Sequence, residues 1–198
     1  MSSQLRVKKI LKNFSSYEPD EIEYSYRFNA NESPFDETLK ILESLSKSKK
    51  KAYLKANAIN RYPDPYQKEL RKRVSKLHGV NLNQIIFGNG SDELILYLLL
   101  ALTGKTTNII HLNPSFSMYK ILSSATGNNP IKVNLDSNFQ IDINDMLKKI
   151  KKYNPDLIFI PTPNNPTGNS FHQEDIKKII KSSKGLVVID EAYADYSS

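Results

Sequence analysis

From residue 66 onward the chain alternates between short apolar runs and longer amphipathic segments, and this alternation restricts its fold more than any other feature. A short continuous apolar run bounded by turn residues suits a strand buried on both faces, whereas apolar residues recurring at i, i+3 and i+4 suit a helix with one buried face. On this reading helices occupy 67–78, closed by Gly79; 91–102, closed by Gly104; 116–125, ending at Gly127; 143–153, with Asp142 near its cap; and 174–182. Strands occupy 85–87, 108–112, 131–135, 157–161 and 186–190. Strands separated by crossover helices build a mostly parallel sheet with helices on both faces. The expected fold class is α/β.

Residues 1–60 read differently: polar, tyrosine-bearing and turn-rich around 29–34, then a lysine-rich helix over 37–55. They are expected to form an N-terminal arm and edge helix attached to an α/β body over 61–198.

Several function classes fall away on composition. The chain has no cysteine, which excludes disulfides, thiolate nucleophiles and thiol-ligated zinc and agrees with a reducing, cytoplasmic location. Its three histidines, His78, His111 and His172, have no metal-ligand spacing, so no metal is expected. The first residues hold no continuous apolar stretch of signal-peptide length, and the longest apolar run, 94–102, is about half a bilayer span. No membrane partner is expected. The net charge of +7 is concentrated in lysine-rich segments with helical periodicity, where a solvated basic face is ordinary. With no aromatic platform or nucleic-acid motif beside them, no nucleic-acid partner is expected; a basic surface also suits a phosphate-bearing small substrate.

Ligands of open parallel sheets bind beyond the carboxyl ends of the strands, and three unusual segments fall there. Gly88-Asn89-Gly90-Ser91-Asp92-Glu93 leads into a helix, so free N–H groups and a positive dipole end could cradle a phosphate; a simple tight turn would look the same. The segment lacks the glycine or alanine that a dinucleotide fingerprint places at Glu93, and the Gly-Lys-Ser/Thr of a P-loop. Pro163-Asn164-Asn165-Pro166-Thr167-Gly168 is a stiff turn that would fix a side chain, or else a polar surface turn. Asp190-Glu191-Ala192-Tyr193 ends an apolar strand. A carboxylate there is costly unless it meets a cation, and the phosphate loop that usually accompanies a magnesium-binding aspartate is absent.

Taken together and in this order, the three segments resemble the large domain of the fold type I aminotransferases. Asn29-Ala30-Asn31-Glu32 and Asn60-Arg61-Tyr62-Pro63-Asp64-Pro65 sharpen the match to the histidinol-phosphate aminotransferase branch, and the resemblance runs from about Phe28 to Tyr196. It implies pyridoxal 5′-phosphate as cofactor and 61–198 as part of the domain that binds it. Gly90, Ser91 and Asp92 would hold the cofactor phosphate. Phe116 would stack on the pyridine, where the family often has tyrosine. Asn165 and Tyr193 would hydrogen-bond the ring's phenolic oxygen, and Asp190 would pair with the protonated ring nitrogen. Tyr62 would reach the cofactor phosphate of the partner subunit in a homodimer, and Asn31 and Asn165 would contact substrate.

The implied reaction is amino transfer between small amino and 2-oxo acids: histidinol phosphate and 2-oxoglutarate against imidazole-acetol phosphate and glutamate, a step of histidine biosynthesis. A threonine-phosphate decarboxylase, an aromatic aminotransferase or a non-catalytic remnant are the alternatives. The family's Schiff-base lysine and its C-terminal small domain come beyond Asp-Glu-Ala-Tyr, and this sequence stops at Ser198. The chain is therefore expected to be a truncated form, inactive alone, with no catalytic residue of its own. Lys184 precedes its strand and Lys120 lies within a helix, so neither is expected to substitute.

Overall fold

The computed structural model describes residues 64–104 and 106–197. The expectations for Asn31, Tyr62, the arm, its lysine-rich helix and the 60/61 boundary fall outside these residues. The described part divides into two units, one ending at Ile86 and one beginning at Phe87.

Among the described residues, the first unit holds α1 (Lys68–His78) and a 3-10 turn, Leu82–Gln84. Gly79 ends α1 in the left-handed conformation, and its N–H donates to the Ser75 carbonyl. Arg71 donates from Nη1 to the carbonyls of Leu82 and Ile85, tying the following segment back onto the helix. Residues 85–87 were expected to form a strand. Ile85 is extended, at φ −114° and ψ 130°, yet 85–87 joins no sheet among the described residues.

The second unit is the α/β body. Its elements are α2 (Gly90–Leu102), β1 (Asn108–Asn113), α3 (Met118–Ala125), β2 (Asn129–Asn134), α4 (Ile143–Tyr153), β3 (Leu157–Pro161), α5 (Gln173–Ser182) and β4 (Leu186–Asp190). The four strands form one parallel sheet in the order β2-β1-β3-β4. β3 lies inside the sheet and all five of its residues are buried, which is why its sequence is apolar without alternation. Its side chains go alternately to two cores. Ile158 and Ile160 meet Met146 and Ile150 of α4 and Ile179 of α5 on one face. Leu157 and Phe159 meet Ile95 and Leu99 of α2 and Tyr119 of α3 on the other.

Local chemistry sets the element ends. The Asp142 carboxylate caps α4 by accepting from the N–H groups of Asn144 (3.0 Å) and Asp145 (3.1 Å), and Asn154 closes it in the left-handed conformation. Met146 and Ile150, four residues apart, are its buried stripe. α3 starts at Met118, two residues later than the amphipathic pattern suggests, because Phe116 and Ser117 form the turn that enters it. Gly185, just ahead of β4, passes so close to the preceding connection that an added Cβ would lie 2.2 Å from the Pro155 carbonyl oxygen. Gly185→Ala therefore forces backbone apart and is expected to cost about 1–3 kcal/mol in chemical unfolding. An unchanged unfolding midpoint would contradict that close approach. No helix among the described residues is long and apolar enough to cross a membrane.

The strand order places the functional edge. The chain moves outward from β1 to β2, then returns to the other side of β1 for β3. The helix after β1 covers one face and the helix after β3 the other, so the two loops diverge and leave a crevice at the strands' carboxyl ends.

Candidate functional site

That crevice is a small open cleft. Ser91 reaches it from the start of α2, Phe116 from the β1–α3 connection, Tyr119 from the first turn of α3, Asn165 from the loop after β3, Asp190 from the end of β4 and Tyr193 from the turn that follows. Five residues singled out in the sequence, Ser91, Phe116, Asn165, Asp190 and Tyr193, thus share one wall-to-wall site. Asn165 follows β3 and Asp190 ends β4, and the pairing of these neighbouring strands sets Pro161 beside Asp190. Gly90 and Asp92 do not line the cleft themselves but flank Ser91.

Asp190 sits at the floor. Its Oδ2 accepts from the Tyr119 hydroxyl at 2.7 Å and its Oδ1 from the Ala192 N–H at 3.1 Å. Each carboxylate oxygen has two lone-pair directions, so both can take a further donor from the cleft. The Asp92 carboxyl is pushed above the usual carboxylate range, first by burial and then by the charge of Asp190.

Tyr119 was not anticipated. It is fully buried, stacked on Phe159 at 5.0 Å between ring centroids and 13° between planes, and set edge-on to Phe116 at 5.6 Å and 87°. Burial, and then the Asp190 carboxylate, push its phenol well above its ordinary value, so it remains a neutral donor. The only sequence signal was spacing: Tyr119 follows Phe116 by three residues, which puts both on one side of a helical turn.

Asn164, also unassigned from sequence, is buried and joins two loops. Its Nδ2 donates to the Pro114 carbonyl (3.1 Å) and to Thr167 Oγ1 (2.6 Å), while its Oδ1 accepts from the Ser115 hydroxyl (2.9 Å). The loop bearing Phe116 is thereby fixed to the loop bearing Asn165.

The entrance to α2 needs its glycines. Gly90 has φ +78°, a conformation that side-chain-bearing residues rarely adopt. A Cβ on Gly88 would lie 2.9 Å from the Leu94 side chain. Glu93 Oε2 accepts from the Asn89 N–H at 2.5 Å, which holds its carboxyl below the usual range and closes the turn from outside. The N–H groups of Gly90, Ser91 and Asp92 have no partner within the helix, and their shared dipole end suits an anion. One end of the cleft therefore suits an anion and its floor a cation, with an aromatic ring between them.

The family model for aminotransferase class I and II matches residues 26–198. The chain belongs to that family. It is 37% identical over 190 residues to the histidinol-phosphate aminotransferase of Thermoanaerobacter sp. (strain X514), covering 96% of this chain and 53% of that protein. It is 43% identical over 143 residues to that of Flavobacterium psychrophilum, covering 72% and 41%. The chain spans about half the length of the curated relatives it matches. Among solved structures, the histidinol-phosphate aminotransferase of Sinorhizobium meliloti, in complex with pyridoxal-5′-phosphate, matches with TM-score 0.79 at 18% identity, over 100% of this chain and 54% of that one. At that identity the likeness is one of fold, and the fold is that of the aminotransferases.

Lys184 stands before β4, at the amino end of the sheet, in a depression it shares with Asn154 and Ser182. The cleft lies at the opposite end.

Proposed function

We propose that the full-length protein carrying this chain is a pyridoxal-phosphate-dependent aminotransferase that interconverts histidinol phosphate and 2-oxoglutarate with imidazole-acetol phosphate and glutamate. The observation that carries this reading is the Asp190 carboxylate, fixed by two donors at the floor of a cleft walled by Phe116 and still able to accept. The residues fit the cofactor's three chemistries: an anion-binding helix start, an aromatic wall and a carboxylate for a cationic nitrogen. When bound, pyridoxal phosphate supplies an electron sink that stabilises negative charge at the substrate Cα.

Each residue has a part in that reading. The N–H groups of Gly90, Ser91 and Asp92 bind the phosphate. Phe116 stacks on the ring without offering a hydroxyl. Asp190 accepts from the ring N–H and keeps that proton in place. Asn165 and Tyr193 donate to the phenolic oxygen, and Asn165, with Asn31, orients the substrate. The partner subunit's Tyr62 completes the phosphate site in a homodimer. The protein acts in the cytoplasm on small amino and 2-oxo acids. The curated relatives' names support histidinol phosphate as the substrate.

The test is an assay of the full-length protein with pyridoxal phosphate, 2-oxoglutarate and a panel of amino donors. Histidinol phosphate is expected to give the highest kcat/KM. Preference for an aromatic amino acid, or decarboxylation of threonine phosphate, would move the protein to a sister activity of the same fold.

A further inference from the structure

We infer that Tyr119 is a positioning residue that aims the Asp190 carboxylate at the cofactor's ring nitrogen, an inference that rests on the pyridoxal-phosphate reading above. Asp190 is the last residue of β4, and one of its oxygens is anchored by the Tyr119 hydroxyl at 2.7 Å. The other anchor is the Ala192 N–H at a longer 3.1 Å, two residues along a turn.

The hydroxyl is an unusual donor because its ring is buried and packed between aromatic neighbours. Phe159, inside the central strand, stacks on one face of it, Phe116 meets it edge-on, and none of the ring is exposed. The donor is thus built into the sheet's core, and the carboxylate takes its orientation from that core. A charged pair gains most when the geometry is set before the partner arrives. The same Phe116 that walls the cleft touches Tyr119, so the ring-stacking surface and the carboxylate's anchor are one packed unit.

The experiment uses the full-length protein and two ligands that cannot form a covalent bond through an aldehyde. One is pyridoxine 5′-phosphate; the other is its carbocyclic analogue, with C–H in place of the ring nitrogen. Dissociation constants are measured by calorimetry for the parent, Tyr119→Phe, Asp190→Asn and the double variant. The parent is expected to prefer the nitrogen ligand. Tyr119→Phe, which retains the stacked ring, should weaken the nitrogen ligand about tenfold, as expected for a lost hydrogen bond to a charged group, and leave the carbocyclic one unchanged. In the Asp190→Asn background it should change neither.

Equal weakening of both ligands would make Tyr119 a packing residue and overturn the inference, as would an undiminished preference in Tyr119→Phe. If Asp190→Asn also retains the parent's preference, the assignment of the ring nitrogen to Asp190 fails instead. Should Tyr119→Phe not fold, a ring-fluorinated tyrosine at this position keeps the hydroxyl and the stack. Its fluorine resonance is expected to shift further with the nitrogen ligand than with the carbocyclic one, and an identical response to both would overturn the inference.

Discussion

Asp190→Ala is expected to lower kcat for amino transfer in the full-length protein by about two to three orders of magnitude, the usual cost of removing one preorganised charge partner from a reacting centre. Asp190 is held by Tyr119 and the Ala192 N–H, so alanine removes the charge and its orientation together. Phosphate recognition at Gly90–Asp92 lies elsewhere in the cleft, so cofactor should still bind at raised concentration. Single-turnover kinetics at saturating cofactor measure this directly. A variant within threefold of the parent would show that the ring nitrogen has another partner.

Phe159→Ala has the largest expected effect on stability, about 3–5 kcal/mol. Phe159 is fully buried on a strand buried along its whole length, and it carries the Tyr119 ring. Truncation opens a cavity between sheet and helices that strands paired on both sides cannot collapse to fill. Denaturant unfolding of the variant should show the loss in midpoint. A change below 1 kcal/mol would mean that the core repacks around the gap. The contrast with Tyr119→Phe, which removes only a hydroxyl, separates the packing role of this aromatic stack from its polar one.

How much of this could be read in the sequence depends on the range of the interactions that fix each feature. The helix Ile143–Tyr153 and the strands Leu157–Pro161 and Leu186–Asp190 were legible to the residue, because a capping aspartate, a four-residue apolar repeat and unbroken apolar runs are local signals. The start of α3 was not. The turn before it is set by Ser115 bonding to Asn164, 49 positions away, which no local pattern encodes. Residues 85–87 form no strand among the described residues for a related reason: an apolar triplet is a local signal, whereas strand pairing is a property of two segments. Ser91, Phe116, Asn165, Asp190 and Tyr193 line one cleft, and each closely follows an apolar run whose end is visible in the sequence. Tyr119 escaped because its significance lies in a hydrogen bond spanning 71 positions. For Asn31 and Tyr62, which fall outside the described residues, the sequence resemblance is the whole of the support.

The amide of Asn164 has a consequence for how this cleft can diversify. Because one side chain grips the backbone carrying Phe116 and the turn carrying Asn165, a change in either loop is felt by both. Substitutions there should be epistatic, with the effect of one contingent on the residue present at the other. A lineage shifting its substrate preference through this site would have to alter the two loops in concert, or recruit its new contacts from segments that Asn164 does not hold.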